Sequence, residues 1–161
     1  MSDTPLCPCG FQEPYQDCCY ALHNQTRYAN SPEELMRSRY SAFVKRNFEY
    51  IIATQDEAFH PGITAEQLAT PPLPYWLALN VIESTQNAHS GTVTFKAWYC
   101  LSNQLDAIFE KSNFILKDGR WFYTDGEHFK VTLPTRNDTC FCGSGLKFKK
   151  CCSKVVESFR V

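Results

Sequence analysis

The chain carries one cysteine pattern twice, once at each end. Cys7-Pro8-Cys9-Gly10 is followed by Cys18-Cys19, and Cys140-Phe141-Cys142-Gly143 by Cys151-Cys152, with eight residues between the inner cysteines of each copy. Segments this short cannot bury an apolar core, so they must be held by their sulfurs. A C-x-C turn and a C-C pair brought back by a loop supply four thiolates, the full ligand set that tetrahedral zinc takes at about 2.3 Å. A disulfide between neighbours such as Cys151 and Cys152 would force unfavourable backbone geometry. The pattern therefore predicts two zinc knuckles and up to two zinc ions per chain. The ligands are Cys7, Cys9, Cys18 and Cys19 in one, and Cys140, Cys142, Cys151 and Cys152 in the other. Four thiolates leave no open coordination position, which points to a structural and not a catalytic metal. Gly10 and Gly143 follow the C-x-C pairs, where the missing Cβ lets the backbone turn and aim N–H groups at sulfur.

With 161 residues and 43% hydrophobic content, the chain has room for one ordinary domain between the two ends. Met1 to Gly10 has neither a basic nor an apolar leader pattern, and no later stretch reaches the ~18 apolar residues of a membrane span. A cytoplasmic protein without a membrane partner is expected, in a compartment where clustered cysteines are ligands more often than disulfides. A net charge of −1 and a pI of about 6.4 argue against electrostatic binding over the whole surface, so any basic site must be local.

The run Cys140-Phe-Cys-Gly-Ser-Gly-Leu-Lys-Phe-Lys-Lys-Cys-Cys152 resembles the SEC-C motif, the zinc-binding tail of the preprotein-translocase ATPase SecA. With a second copy at the N-terminus and Leu35-Met-Arg-Ser-Arg-Tyr-Ser-Ala-Phe43 between them, nearly the whole chain resembles the bacterial YchJ family. That resemblance implies an α+β fold of the nuclear transport factor 2-like, cystatin-like type: a curved antiparallel sheet wrapped by helices into a cone. It implies residues 1–22 and 136–154 as knuckles around a domain at 30–133. It does not imply a known activity. The SecA tail engages the chaperone SecB and the ribosome, so the C-terminal knuckle becomes a candidate docking module for such a partner. Domains of this type commonly pair through the sheet, and a homodimer is a further expectation.

The two copies differ in charge. Residues 136–161 hold Arg136, Lys147, Lys149, Lys150, Lys154 and Arg160 against Asp138 and Glu157, whereas residues 1–20 hold only Asp3, Glu13 and Asp17. Lys147, Phe148, Lys149 and Lys150 are the candidate partner-binding residues, cations around one exposed aromatic that suit an acidic protein or an RNA surface. Equally, the same lysines could screen the thiolate charge. Nucleic-acid binding has little support beyond this run.

In the middle, Ser31-Pro32-Glu33-Glu34 reads as a helix start, and a helix is expected from Pro32 to about Thr54. Met36, Tyr40, Phe43, Val44 and Ile51 form its apolar stripe, while Arg37 and Arg39 read as solvated or ion-paired. Thr64 begins a short helix, and Pro71-Pro72-Leu73-Pro74 delays the sheet. Strands are expected at about 76–85, 91–101, 105–117 and 120–125, with turns at Ser102-Asn103 and Asp118-Gly119. Alternation puts Val93, Phe95, Ala97, Tyr99 and Leu101 on one face, and Asp106, Ile108, Glu110, Ser112, Phe114 and Leu116 on one face of the next strand. Asp106 and Glu110 are candidate general bases if that face lines a pocket, and otherwise cross-strand ion pairs with Lys96 and Lys111. His23, His60, His89 and His128 read as surface or loop residues, and Cys100 as a small buried hydrophobe. Two functions follow: an adaptor that docks through the basic knuckle, or a small-molecule binder or enzyme using the cone pocket.

Overall fold

A computed structural model describes residues 4–159; Asp3 and Arg160, counted above in the charge contrast, lie outside them. After the N-terminal cysteines, α1 (Cys19–His23) leads to α2 (Pro32–Lys45). Ser31 caps α2 by accepting from the Glu34 amide at 3.1 Å, and Pro32 occupies the first turn, where no N–H is missed. The expected single helix to Thr54 is in fact two. Arg46 is left-handed (φ 59°, ψ 34°) and closes α2, and Asn47 then caps α3 (Phe48–Ala53) by accepting from the Tyr50 amide at 3.2 Å. The break lets α3 turn Phe48, Tyr50 and Ile51 inward, where all three are buried. Thr64 and Gln67 form a reciprocal cap on α4 (Ala65–Leu68), and the sheet starts directly after Pro74.

The four strands are β1 (Tyr75–Gln86), β2 (Ser90–Leu101), β3 (Gln104–Lys117) and β4 (Arg120–His128), antiparallel in sequence order. Ser102-Asn103 and Asp118-Gly119 turn with both residues at positive φ, as two-residue hairpins require. Register shifts near Leu77, Ile82 and Asn113 bend the sheet. The inner face presents the predicted set, Phe95 and Ala97 from β2 and Ile108, Glu110, Ser112 and Phe114 from β3. Against it α2 lays Met36, Arg39, Tyr40 and Phe43. Val93, Phe114, Leu35 and Ile51 are sealed at the centre of this core. On the outer face Trp98 and Cys100 are buried, Cys100 as the apolar residue expected of it. The chain ends in the second cysteine cluster and α5 (Cys152–Ser158), which buries Val156. Among the described residues no helix is long and apolar enough to cross a membrane.

Candidate metal centres and the surfaces beside them

The repeat seen in sequence is also a repeat of backbone. In each copy a short antiparallel bridge, Leu6 to Pro14 or Thr139 to Lys147, closes the loop after the C-x-C pair. A 3-10 turn follows, Tyr15–Asp17 or Phe148–Lys150, and the last cysteine opens a helix, α1 or α5. Cys18 and Cys151 share one unusual conformation (φ −125°, ψ −107° and φ −132°, ψ −114°). Gly10 and Gly143 both have positive φ, 91° and 81°, a turn that a Cβ would strain.

All nine cysteines are free thiols. Within each cluster the four sulfurs lie within 4.8 Å of one another. Cys9 to Cys18 and Cys142 to Cys151 measure 3.4 Å, and Cys18 to Cys19 4.0 Å. Ligands at 2.3 Å in a tetrahedron stand about 3.8 Å apart, so the donor set and spacing fit a four-coordinate metal ion. Proton energetics point the same way. Hydrogen bonds from Cys19 and Cys9 hold the Cys7 thiol well below the usual thiol range, and that thiolate in turn pushes Cys19 far up; burial pushes Cys18 up to about 12. At the other end burial opposes ionisation of Cys142, but hydrogen bonds with Ser144, Cys151 and Cys140 together outweigh it and bring the thiol down to about 7, while burial and Cys140 raise Cys152. Cys7 and Cys142 give up their protons more readily than a free thiol while Cys18, Cys19 and Cys152 resist, the behaviour of sites in which a cation would be needed to hold the thiolates together.

Each knuckle is fastened to the central domain. At the N-terminus Arg37 Nη1 donates to Cys9 O at 2.7 Å, its guanidinium lies over Phe11 at 4.5 Å and its Nε pairs with Glu33 at 3.0 Å. Ser41 Oγ stands 3.7 Å from Cys7 Sγ, and Lys45 Nζ sits 3.9 Å from the Tyr15 ring centre. His23, expected at the surface, is instead buried between Tyr15 OH (2.7 Å from Nδ1) and Ser38 O (2.8 Å from Nε2). The C-terminal knuckle lies on the outer face of the sheet. Phe141 stacks on Trp98 at 4.3 Å and 8° between planes. Asn80 spans the contact: its Oδ1 accepts from Trp98 Nε1 at 2.8 Å and its Nδ2 donates to Phe141 O at 2.9 Å.

Lys147 and Lys150 are exposed, and Lys149 is half-buried with its amide donating to Arg136 O at 3.0 Å. Among the described residues no carboxylate lies within 4.0 Å of these three ammonium groups. Phe148 is not the exposed aromatic expected: it is half-buried beside Phe141, 5.9 Å between ring centres. Leu146, 51% exposed at the loop tip, is the apolar residue that reaches solvent there.

The two candidate carboxylates part company. Asp106 is exposed, opposite Tyr99, and accepts from the next amide, Ala107 N, at 2.8 Å. Glu110 is 6% exposed and faces the cavity between α2 and the sheet, where Ser112 Oγ and Tyr123 OH both donate to Oε1 at 2.8 Å. Neither makes an ion pair with Lys96 or Lys111; Lys96 lies over the Phe109 ring at 4.8 Å instead. Arg39 overturns the solvated reading altogether. It is 8% exposed, donates from Nη1 to Ile51 O (2.9 Å) and Thr54 Oγ1 (2.8 Å), and lies over the Tyr123 ring at 4.8 Å. Burial brings its guanidinium down to about 10. Of the other histidines, His89 and His128 are exposed as expected, whereas His60 stacks on Tyr123 at 5.3 Å and reaches Thr124 O.

Residues 31–126 match the family model described as "YchJ, middle NTF2-like domain", and residues 136–154 match the SEC-C motif. A UPF0225 protein of Shewanella sp. (strain MR-4) is 54% identical over 163 residues, covering 96% of this chain and 99% of that protein. A UPF0225 protein of Vibrio cholerae is 37% identical over 152 residues, covering 91% and 98%. Among solved structures, a SEC-C motif containing protein from Rhodopseudomonas palustris superposes with a TM-score of 0.72 at 34% identity, covering 78% of this chain and all of that one. Another, from Psychrobacter arcticus, gives 0.66 at 30% identity, covering 92% and 96%. With a shared cysteine motif, a shared central fold and relatives matched almost end to end, the chain belongs to the YchJ family of UPF0225 proteins.

Proposed function

We propose that the protein is a zinc-dependent cytoplasmic adaptor, in which both four-cysteine knuckles hold structural zinc and the C-terminal one docks on an acidic protein or ribosomal partner. Bound zinc supplies a fixed charge centre that locks four thiolates into one geometry and offers no open position for chemistry. The observation that carries the docking reading is the contrast between the knuckles. The N-terminal copy turns its surface to Arg37, Ser41 and Lys45 of the domain. The C-terminal copy is fixed at its back by Phe141 and Asn80, and its front offers Lys147, Lys149 and Lys150 without carboxylate partners around the exposed Leu146. A rigid cationic patch with one apolar tip suits a partner whose surface is acidic, and a partner of the SecB or ribosomal kind is the one the SEC-C likeness favours.

The test is titration of the zinc-loaded protein against purified ribosomes and purified SecB. Wild type is expected to bind one of them, more weakly as salt is raised. The charge reversal Lys147→Glu/Lys149→Glu/Lys150→Glu should weaken that binding at least about tenfold while two equivalents of zinc are retained. No binding to either partner, or equal binding by the reversed variant, would sink the docking reading.

A further inference from the structure

The cavity between α2 and the sheet measures ≈ 210 Å³, the space of about seven waters. Tyr40, Phe43, Trp76, Phe95 and Ile108 make its walls apolar, and Arg39 projects into it. Both hydrogen bonds made by that guanidinium run from Nη1, and both go to neutral oxygens. Among the described residues no carboxylate comes within 4.0 Å of it. Among the described residues no side-chain nitrogen or oxygen sealed from solvent lacks a partner; Nε and Nη2 make no hydrogen bond to these residues, so they are not sealed, and the space that Arg39 lines is this cavity. A guanidinium carries five N–H donors, and a buried cation that touches no carboxylate is costly.

Glu110 shares the cavity and its charge favours the Arg39 cation, but it makes no direct ion pair with the guanidinium. Its Oε1 is taken by Ser112 and Tyr123, and its Oε2 faces His128 Nε2 at 3.5 Å, so the carboxylate is drawn toward β4. Gly126 makes that position possible, since a Cβ there would fall on the Glu110 carboxylate. The result is a largely apolar, aromatic-walled slot with a cation at one side whose free donors, Nε and Nη2, form the edge that grips a carboxylate with two parallel bonds.

We propose that this cavity binds a small aromatic monocarboxylic acid, with its carboxylate on Nε and Nη2 of Arg39 and its ring against Trp76, Phe43 and Phe95. The site uses no residue of the C-terminal knuckle and stands or falls separately from the docking reading. The apolar walls favour a flat ring, the volume limits it to one or two rings, and the cation's free donors select an anion over its neutral isostere.

The full-length zinc-loaded protein is titrated with benzoate, salicylate and indole-3-carboxylate, followed by NMR at the Trp76 indole and the Phe95 amide. Saturable binding is expected for at least one acid, at least about tenfold tighter than for its neutral amide. Arg39→Gln should weaken it by a similar factor, and Ala97→Leu, which fills the cavity without touching a charge, should abolish it. The acid-against-amide comparison uses wild type alone, so it decides the matter even where a variant folds poorly. Equal affinity for acid and amide, binding that survives Ala97→Leu unchanged, or no saturable binding by any of the three acids would overturn the proposal.

Discussion

The imidazole of His23 is held from both sides, and the chemistry of its partners fixes its state. Ser38 O can only accept, so Nε2 carries the proton; Nδ1 then accepts from Tyr15 OH. Burial holds the pKa of this ring below its ordinary value of about 6.5, so the folded protein keeps it neutral where the unfolded chain would protonate it. The unfolded state binds more protons in that window. Stability from this group is therefore full above about pH 6.5 and falls as pH drops toward the folded pKa, by at most about 1.4 kcal/mol per pH unit. NMR titration should place His23 below 6.5, and urea unfolding of His23→Gln should lose that share of the slope; a His23 that titrates at or above 6.5 would refute the assignment. None of this was legible in the sequence, and the same holds for Arg39. Their burial is decided by Ser38, Ile51 and Thr54, which lie 12 to 15 residues away, and no local pattern of charge or hydrophobicity announces such a partner. The two four-cysteine clusters were legible because the repeat that brings their sulfurs together is written in spacing.

Among the elements, the hairpins could be read because their turns need positive φ and carry residues that tolerate it, Asn103 and Gly119. The junction of α2 and α3 could not, because Lys45-Arg46-Asn47 contains no glycine or proline and the apolar stripe continues in phase past it. The one local signal is Asn47, a helix cap placed ahead of Phe48. Asn47→Ala should then cost about 1 kcal/mol in urea unfolding, since the Tyr50 amide loses its acceptor. Arg46→Gly should gain about 0.5 kcal/mol, because a left-handed residue with a Cβ is strained and glycine is not. A loss of stability in Arg46→Gly would mean that the arginine side chain contributes more than its backbone costs.

At the level of the whole molecule, zinc loaded into the two clusters, as proposed above, should leave them at different rates. Cys7, Cys9 and Cys19 are buried, Cys9 completely, whereas both Cys142 and Cys151 are partly open at the C-terminal knuckle. Chelator should therefore release two equivalents in two phases, and the faster should be missing in Cys151→Ser. Release in a single phase from wild type would show that burial does not set the rate. The docking of the knuckles onto α2 and onto β1 and β2 could not be foreseen, because contacts such as that between Asn80 and Phe141 join residues 61 apart with no sequence mark at either. That contact has a practical consequence. The Trp98 indole is covered by the Phe141 ring and tied to the knuckle through a single amide, so undocking of the knuckle would wet the indole and move its emission to longer wavelength. The protein thus contains an unlabelled optical gauge of its own C-terminal assembly, against which the order of metal loss and undocking can be timed in one cuvette.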